Sequence, residues 1–110
     1  MDKSKREVGG KLEKYAVSYL QEIDPKTKQS NNSGAVSNNS DIINSKFKIE
    51  CKKRNKKNLV IDIKVWKKLN NQINIGSLKI PMLILENIDK ETFAVLNLKD
   101  LILLLKDTNE

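Results

Sequence analysis

The most informative absence in this 110-residue sequence is histidine, which does not occur at all. Without histidine the chain has no usual zinc site and lacks the commonest general base, so catalysis would have to use carboxylates, lysines or a metal ion held by oxygen atoms. A single cysteine, Cys51, excludes a disulfide within the chain. The longest unbroken apolar run, Leu101 to Leu105, is far shorter than the roughly 20 residues of a membrane-spanning helix. We therefore expect no membrane partner.

Positive charge is abundant, and it is concentrated in one segment. The net charge of the chain is +7, and residues 46–68 contain ten Lys or Arg against two acids. The rest of the chain is close to neutral. A concentrated positive segment is typical of a surface that contacts the phosphates of a nucleic acid, and a solvated basic face is the simpler alternative.

The spacing of apolar residues predicts one domain, residues 1–110, in which a central mixed β-sheet is flanked by helices. We expect helices over 7–23, 62–74 and 98–106, and strands around 34–37, 41–44, 46–53, 80–87 and 91–98. Residues 1–7 are expected to be a disordered tail. In the first helix one face is apolar, with Glu13 at its edge, and is formed by Leu12, Ala16, Tyr19, Leu20 and Ile23. The predicted order is α-β-β-β-α-β-β-α.

Apolar and charged residues alternate along the predicted strand 46–53. Because side chains on a strand repeat every second residue, Glu50 and Lys52 are predicted to share one face, and Cys51 to face the core. This pair has a simple explanation, namely an ion pair on a surface strand that contributes under about 1 kcal/mol. The pattern E-x-K is also common by chance, so a functional interpretation needs further residues.

An upstream carboxylate supplies such a residue. A tight hairpin would place Asp41 within a few ångströms of Glu50, and two carboxylates about 4 Å apart repel by about 4 kcal/mol at an effective dielectric constant of about 20. A divalent cation such as Mg²⁺ or Mn²⁺ would remove that repulsion. Lys52 would then hold or help to deprotonate an attacking water and stabilise charge on phosphorus. The residues therefore predict a metal-dependent nuclease.

Three stretches of the sequence resemble a known family: GGKLEKYAVSYL, NSGAVSNNSDI and FKIECKK. Together they resemble the PD-(D/E)xK nuclease superfamily, and most of all its small Holliday-junction resolvases and related phage endonucleases. The resemblance implies a restriction-endonuclease-like core with a glutamate on the first helix, an aspartate in a hairpin and E-x-K on the next strand. It assigns the catalytic residues as Glu13, Asp41, Glu50 and Lys52. The three acids would hold Mg²⁺, for which Mn²⁺ would substitute.

The resemblance also implies a partner and an assembly. The partner would be DNA, branched or duplex, and a homodimer is expected because a four-way junction offers two symmetry-related strands. The residues expected to contact phosphates are Lys53, Arg54, Lys56, Lys57, Lys64, Lys67 and Lys68. Ser33 and Gln72 are accessory candidates, and a cytoplasmic protein encoded by a bacterium or a phage is expected.

Two other functions remain open. A non-catalytic basic module would bind nucleic acid without a metal ion and cleave nothing, although Glu13 and Glu50 suit a phosphate-binding surface poorly. A repair or restriction-type nuclease of the same fold would share the site and differ only in its DNA substrate.

Overall fold

The computed structural model of this protein describes residues 2–30, 42–73 and 77–108, with side chains described between residues 11 and 107 of those ranges. Its elements are α1 (Asp2–Leu20), β1 (Lys28–Gln29), β2 (Ile42–Ile43), β3 (Phe47–Lys53), α2 (Ile63–Asn71), β4 (Ile80–Glu86), β5 (Thr92–Val95) and α3 (Leu98–Thr108). Within these ranges the strands form one five-stranded sheet in the order β1-β2-β3-β4-β5. Strands β3 and β4 run parallel, and the other neighbouring pairs are antiparallel. The expected α/β architecture, a mixed sheet flanked by helices, is confirmed.

Each face of the sheet carries its own core. On one face α1 buries Leu12, Ala16 and Leu20, which are spaced four residues apart, against Ile42, Phe47, Ile49, Met82 and Ile84. On the other face α2 buries Leu69 against Leu83 and Leu85. Residues 81–85 of β4 are buried throughout, as expected for a strand covered on both sides. We call the two sides of the sheet the α1 side and the α2 side.

Side-chain caps hold the turns that position β3. The Asn44 side-chain oxygen accepts hydrogen bonds from the backbone N–H groups of Lys46 and Phe47, at 2.8 and 3.0 Å. The Asp24 carboxylate accepts from the N–H and the hydroxyl of Ser45, at 3.1 and 2.7 Å. The β2–β3 hairpin therefore turns where the sequence predicts, and it is bound to the segment that follows α1.

Several boundaries differ from the sequence-based prediction. Strand β1 occupies Lys28–Gln29, where the sequence predicts no strand, and the predicted strand around 34–37 lies outside the described residues. Helix α1 begins at Asp2, so it includes residues assigned to a tail. Tyr19 and Ile23 are 59% and 70% exposed, so the apolar face of α1 is narrower than predicted. The reason is that the helix ends at Leu20, and its buried residues follow a single i, i+4 row.

Helix α3 has more apolar residues than one core-facing stripe needs, a composition that favours either packing against a partner chain or deep burial. Leu104 packs against the core on the α1 side, but most of its apolar residues are exposed: Leu98, Leu101, Ile102, Leu103 and Leu105. Deep burial within the chain is therefore the wrong explanation for its many apolar residues. Among the described residues, no helix combines the length and the apolar character needed to cross a bilayer.

Candidate functional site

The charged face of β3 projects to the α2 side of the sheet. Phe47 and Ile49 are buried on the α1 side, so the alternating Lys48, Glu50 and Lys52 project to the other side. The Lys52 ammonium lies 3.5 Å from a Glu50 carboxylate oxygen, and the two side chains are 37% and 24% exposed. This distance exceeds the roughly 2.7–2.9 Å of a tight charge-assisted hydrogen bond. The pair is a loose ion pair that solvent can reach.

Lys48 belongs to the same row, and the sequence-based prediction left it out of the site. Burial lowers the pKa of its ammonium group, the nearby Lys79 lowers that pKa further, and Glu50 acts in the opposite direction. Glu50 therefore lies between two lysines of the strand, Lys48 and Lys52. The alternation that placed Glu50 and Lys52 on one face could have identified Lys48 as well, whereas Lys79 is brought near only by the parallel pairing of β3 and β4.

Asp41 lies outside the described residues, as does Ser33. The residue that follows Asp41 in the chain, Ile42, is described and pairs directly with Ile49 across the β2–β3 ladder. Glu50 follows Ile49. We call a set of residues that pair directly across neighbouring strands a rung. Asp41 and Glu50, the two predicted ligands, are therefore chain neighbours of the two residues of one rung, Ile42 and Ile49.

Glu13 approaches that rung from the α1 side. Its carboxylate accepts a hydrogen bond of 3.4 Å from the Gln29 side-chain amide, and Gln29 pairs with Ile42. The buried Ile42 and Ile49 show that the rung faces α1. Glu13 and Glu50 therefore lie toward opposite sides of the sheet. Gln29 could not be identified from the sequence, because a two-residue strand has no periodicity.

The oxygen donors of the site can be compared with what a metal ion needs. Among the described residues there is no group of three or more Cys, Asp or Glu side chains that could hold a metal ion. Glu50 offers a partly exposed carboxylate, which is the kind of oxygen donor that Mg²⁺ binds. The second predicted ligand, Asp41, is outside the part of the chain that the structure describes.

The predicted phosphate-binding residues fall into two groups. Five are exposed and define what we call the basic surface: Lys56, Lys57, Lys64, Lys67 and Lys68. Of the other two, Lys53 is also exposed, but its ammonium lies 3.5 Å from a Glu86 carboxylate oxygen. Arg54 is half-buried, and its backbone N–H donates to the Glu86 carbonyl.

The loop that carries part of the basic surface is anchored through its backbone. The Ile88 N–H donates to the Lys56 carbonyl at 3.0 Å, and the Asn87 side-chain amide donates to the Lys57 carbonyl at 3.2 Å. These bonds fix the path of the loop and leave both lysine side chains exposed. The loop and the start of α2 border an open hollow of about 750 Å³.

Gln72 caps the carboxyl end of α2, where its N–H donates to the carbonyls of Lys68 and Leu69, and it is half-buried. Because α2 packs on the α2 side of β3 and β4, Gln72 belongs to the same side of the sheet as Glu50. This side therefore combines a partly exposed carboxylate between lysines with a basic loop and a basic helix. Divalent cations and phosphates are the ligands that such groups bind. No protein-family model, curated protein or solved structure matches this chain.

Proposed function

We propose that this protein is a metal-dependent DNA endonuclease of the small Holliday-junction resolvase type, with its site on the α2 side of β3. The observation that carries this proposal is the ion pair of Glu50 and Lys52 on one strand face, 3.5 Å apart and open to solvent, beside the basic surface. The element order α-β-β-β-α-β-β-α supports it, because a restriction-endonuclease-like core is expected to have this order.

The roles follow from what each side chain can reach. Glu50 and Asp41, each bonded to a member of the Ile42–Ile49 rung, would hold Mg²⁺ or Mn²⁺. Glu13, the third ligand that the resemblance implies, lies toward the other side of the sheet and would not share an ion with Glu50. When bound, the cation would polarise a phosphodiester oxygen and lower the pKa of a coordinated water. Lys52, next to Glu50, would orient the attacking water and stabilise the charge that develops on the phosphoryl oxygens.

Contact with DNA would be made by the basic surface. Its five lysines are exposed, and they lie on an anchored loop and on one helix. Lysine contacts to phosphates position a nucleic acid but do not read its sequence. We therefore expect binding that depends on the shape of the DNA and weakens steeply with salt.

A homodimer would present two such sites to the two equivalent strands of a junction. The exposed apolar residues of α3 are the surface that a second copy of this chain would cover. Sedimentation should show a dimer for the wild type and a monomer for Leu103→Glu, which places a charge on a residue that is 52% exposed. A monomeric wild type at all concentrations would exclude this assembly.

The function can be tested by one cleavage assay with three DNA substrates, namely a four-way junction, a linear duplex and a single strand, each with Mg²⁺, Ca²⁺ or EDTA. We expect cutting of the junction with Mg²⁺ only, and loss of cutting in Asp41→Asn. Cutting of the linear duplex instead would identify a repair or restriction-type nuclease. Wild-type rates in Asp41→Asn would show that this carboxylate holds no metal ion.

A non-catalytic nucleic-acid-binding module is the second candidate function. It is favoured by one observation, that the ammonium of Lys52 lies 3.5 Å from Glu50 and can balance its charge. Such a module would bind the junction equally well with Mg²⁺ or EDTA and would cleave none of the three substrates. The same assay therefore separates the two functions.

A further inference from the structure

A second charged hollow lies on the α1 side of the sheet, at the carboxyl end of β4. It has a volume of about 320 Å³ and is lined by Lys11, Tyr15, Lys53, Glu86, Lys90 and Thr92. Lys53, Glu86 and Thr92 form one rung across β3, β4 and β5, and α1 covers that rung with Lys11 and Tyr15. We call this space the lysine hollow.

The charges that line the lysine hollow favour an anion. Three lysines, Lys11, Lys53 and Lys90, line the hollow together with a single acid, Glu86, whose carboxylate is already in an ion pair with Lys53 at 3.5 Å. The side chains of Lys53 and Glu86 are only 32% and 13% exposed, so water screens their charges incompletely. An anion with several oxygen atoms would compensate the two remaining positive charges.

Thr92, one of the residues that line the lysine hollow, has a hydroxyl group whose hydrogen-bonding capacity is not used. Among the described side chains, the Thr92 hydroxyl oxygen is buried and has no hydrogen-bond partner. Buried hydroxyl groups in native proteins are nearly always hydrogen-bonded, so an exception indicates that a ligand or a water can bind there. A hydroxyl can donate to an anionic oxygen, which makes Thr92 a suitable donor beside the lysines.

The position of Lys90 is fixed at a conformational cost. Its φ of 65° lies in the left-handed region, which a residue with a Cβ atom rarely adopts. The turn is held in place by the buried Asn87, whose side-chain oxygen accepts from the N–H groups of Asp89 and Glu91, while the Lys90 N–H donates to the Asn87 carbonyl. Strained residues that are held so firmly are concentrated at ligand-binding sites.

We propose that the lysine hollow binds a phosphate group, with Thr92 as a hydrogen-bond donor and Lys11, Lys53 and Lys90 as the countercharges. The phosphate could be a diester in a nucleic-acid backbone or free inorganic phosphate, because both present the same anionic oxygens. This site is on the other side of the sheet from Glu50 and does not depend on cleavage of DNA. The phosphate-binding proposal can therefore be tested independently of the endonuclease proposal.

The test is a titration of the ¹⁵N-labelled full chain, followed by the NMR signals of its backbone amides. Inorganic phosphate and a short DNA duplex are the two probes, and sodium chloride at the same ionic strength is the reference. The variants are Lys90→Asn, which suits the left-handed backbone and removes one charge, and Thr92→Val, which removes only the hydroxyl. Lys99→Gln, on α3, is the matched control for the loss of one lysine.

We expect the amide signals of Lys53, Lys90 and Thr92 to shift saturably with phosphate. The dissociation constant should rise at least about tenfold in Lys90→Asn and Thr92→Val, the loss expected for one hydrogen bond to a charged group, and stay unchanged in Lys99→Gln. Shifts of the same amides with duplex would identify a backbone phosphate as the source, and shifts with inorganic phosphate alone would identify the free ion. Shifts equal to those with chloride, or equal dissociation constants in all variants, would overturn the proposal.

Discussion

Two ion pairs of β3 have the same distance between nitrogen and oxygen but very different surroundings. The ammonium of Lys52 lies 3.5 Å from Glu50, and that of Lys53 lies 3.5 Å from Glu86. The first pair lies along one strand on the α2 side, and the second lies across two parallel strands on the α1 side. Consecutive residues of one strand therefore take part in two separate charge clusters, because neighbouring side chains project to opposite faces.

The difference between the two pairs lies in what surrounds each carboxylate. Glu50 is accessible, and its chain neighbour Ile49 pairs with the residue that follows Asp41. Glu86 is more buried and shares its hollow with two further lysines. The same interatomic distance is therefore compatible with a cation site in one case and an anion site in the other. An ion-pair distance alone says little about function.

The largest expected difference between the two ion pairs is the effect of replacing Glu50 on cleavage. Glu50→Gln should reduce the Mg²⁺-dependent cleavage rate about a thousandfold, equivalent to about 4 kcal/mol of transition-state stabilisation, because a neutral amide is a much poorer metal ligand. The exposed Asp107 of α3 provides the control, since Asp107→Asn removes the same charge far from the site. A rate for Glu50→Gln within about threefold of the control would show that Glu50 holds no metal ion.

The next largest effect concerns Ile49, a core residue of β3, the strand from which both lysines of the ion pairs project. Ile49 is fully buried, and Ile49→Ala should lower the free energy of unfolding by about 3 kcal/mol, because it leaves a cavity in the core on the α1 side. Ile43, on β2, is 44% exposed, and Ile43→Ala should cost less than about 1 kcal/mol. Urea denaturation measures both values. Equal losses would contradict the burial difference between the two sides of the sheet.

Smaller effects on stability are expected from the lysines themselves. Lys52→Gln and Lys53→Gln should each change the free energy of unfolding by less than about 1 kcal/mol, because both ion pairs are partly open to solvent. The two variants should differ in function, since only Lys52→Gln should slow cleavage at the chemical step, by at least about tenfold. A large loss of stability in Lys52→Gln would instead assign this lysine a structural role.

The smallest effect tests the hairpin that leads into β3. The hydroxyl of Ser45, followed by its N–H, holds the pKa of the Asp24 carboxyl below its ordinary value of 3.8. A lowered pKa in the folded state means that ionised Asp24 favours folding above pH 3.8, and that this contribution is lost as the pH falls through the folded-state pKa. Ser45→Ala should raise the pKa of Asp24 toward 3.8, as measured by NMR titration, and Ser18→Ala should not.

The parts of this fold that the sequence predicted are those with a long, regular pattern. The apolar run of β4 and the alternation of β3 gave their boundaries almost to the residue, and the alternation also placed Glu50 and Lys52 together. The strand at Lys28–Gln29 could not be predicted, because two residues carry no period and its pairing depends on β2. The packing of Glu13 against Gln29 depends on that pairing as well.

The lysine hollow was beyond sequence-based prediction for a different reason. Its residues come from α1, β3 and the turn and strand that follow β4, so no local spacing links them. They meet only through the rung of Lys53, Glu86 and Thr92, which depends on strand register in three dimensions. Nor does composition explain the left-handed Lys90, since a glycine or an asparagine would be expected in such a turn.

The parallel pairing of β3 with β4 has a consequence for the order of folding. The two strands are directly paired, yet the chain between Lys53 and Ile80 must first cross over through α2. Contacts between distant parts of a chain form late, because loop closure costs entropy before any contact is gained. During synthesis the edge of β3 that pairs with β4 would stay unpaired until residues 80–86 emerged from the ribosome. The pair of Lys53 and Glu86 would therefore form only in these late steps, whereas Glu50 and Lys52, on one strand, do not depend on the pairing with β4.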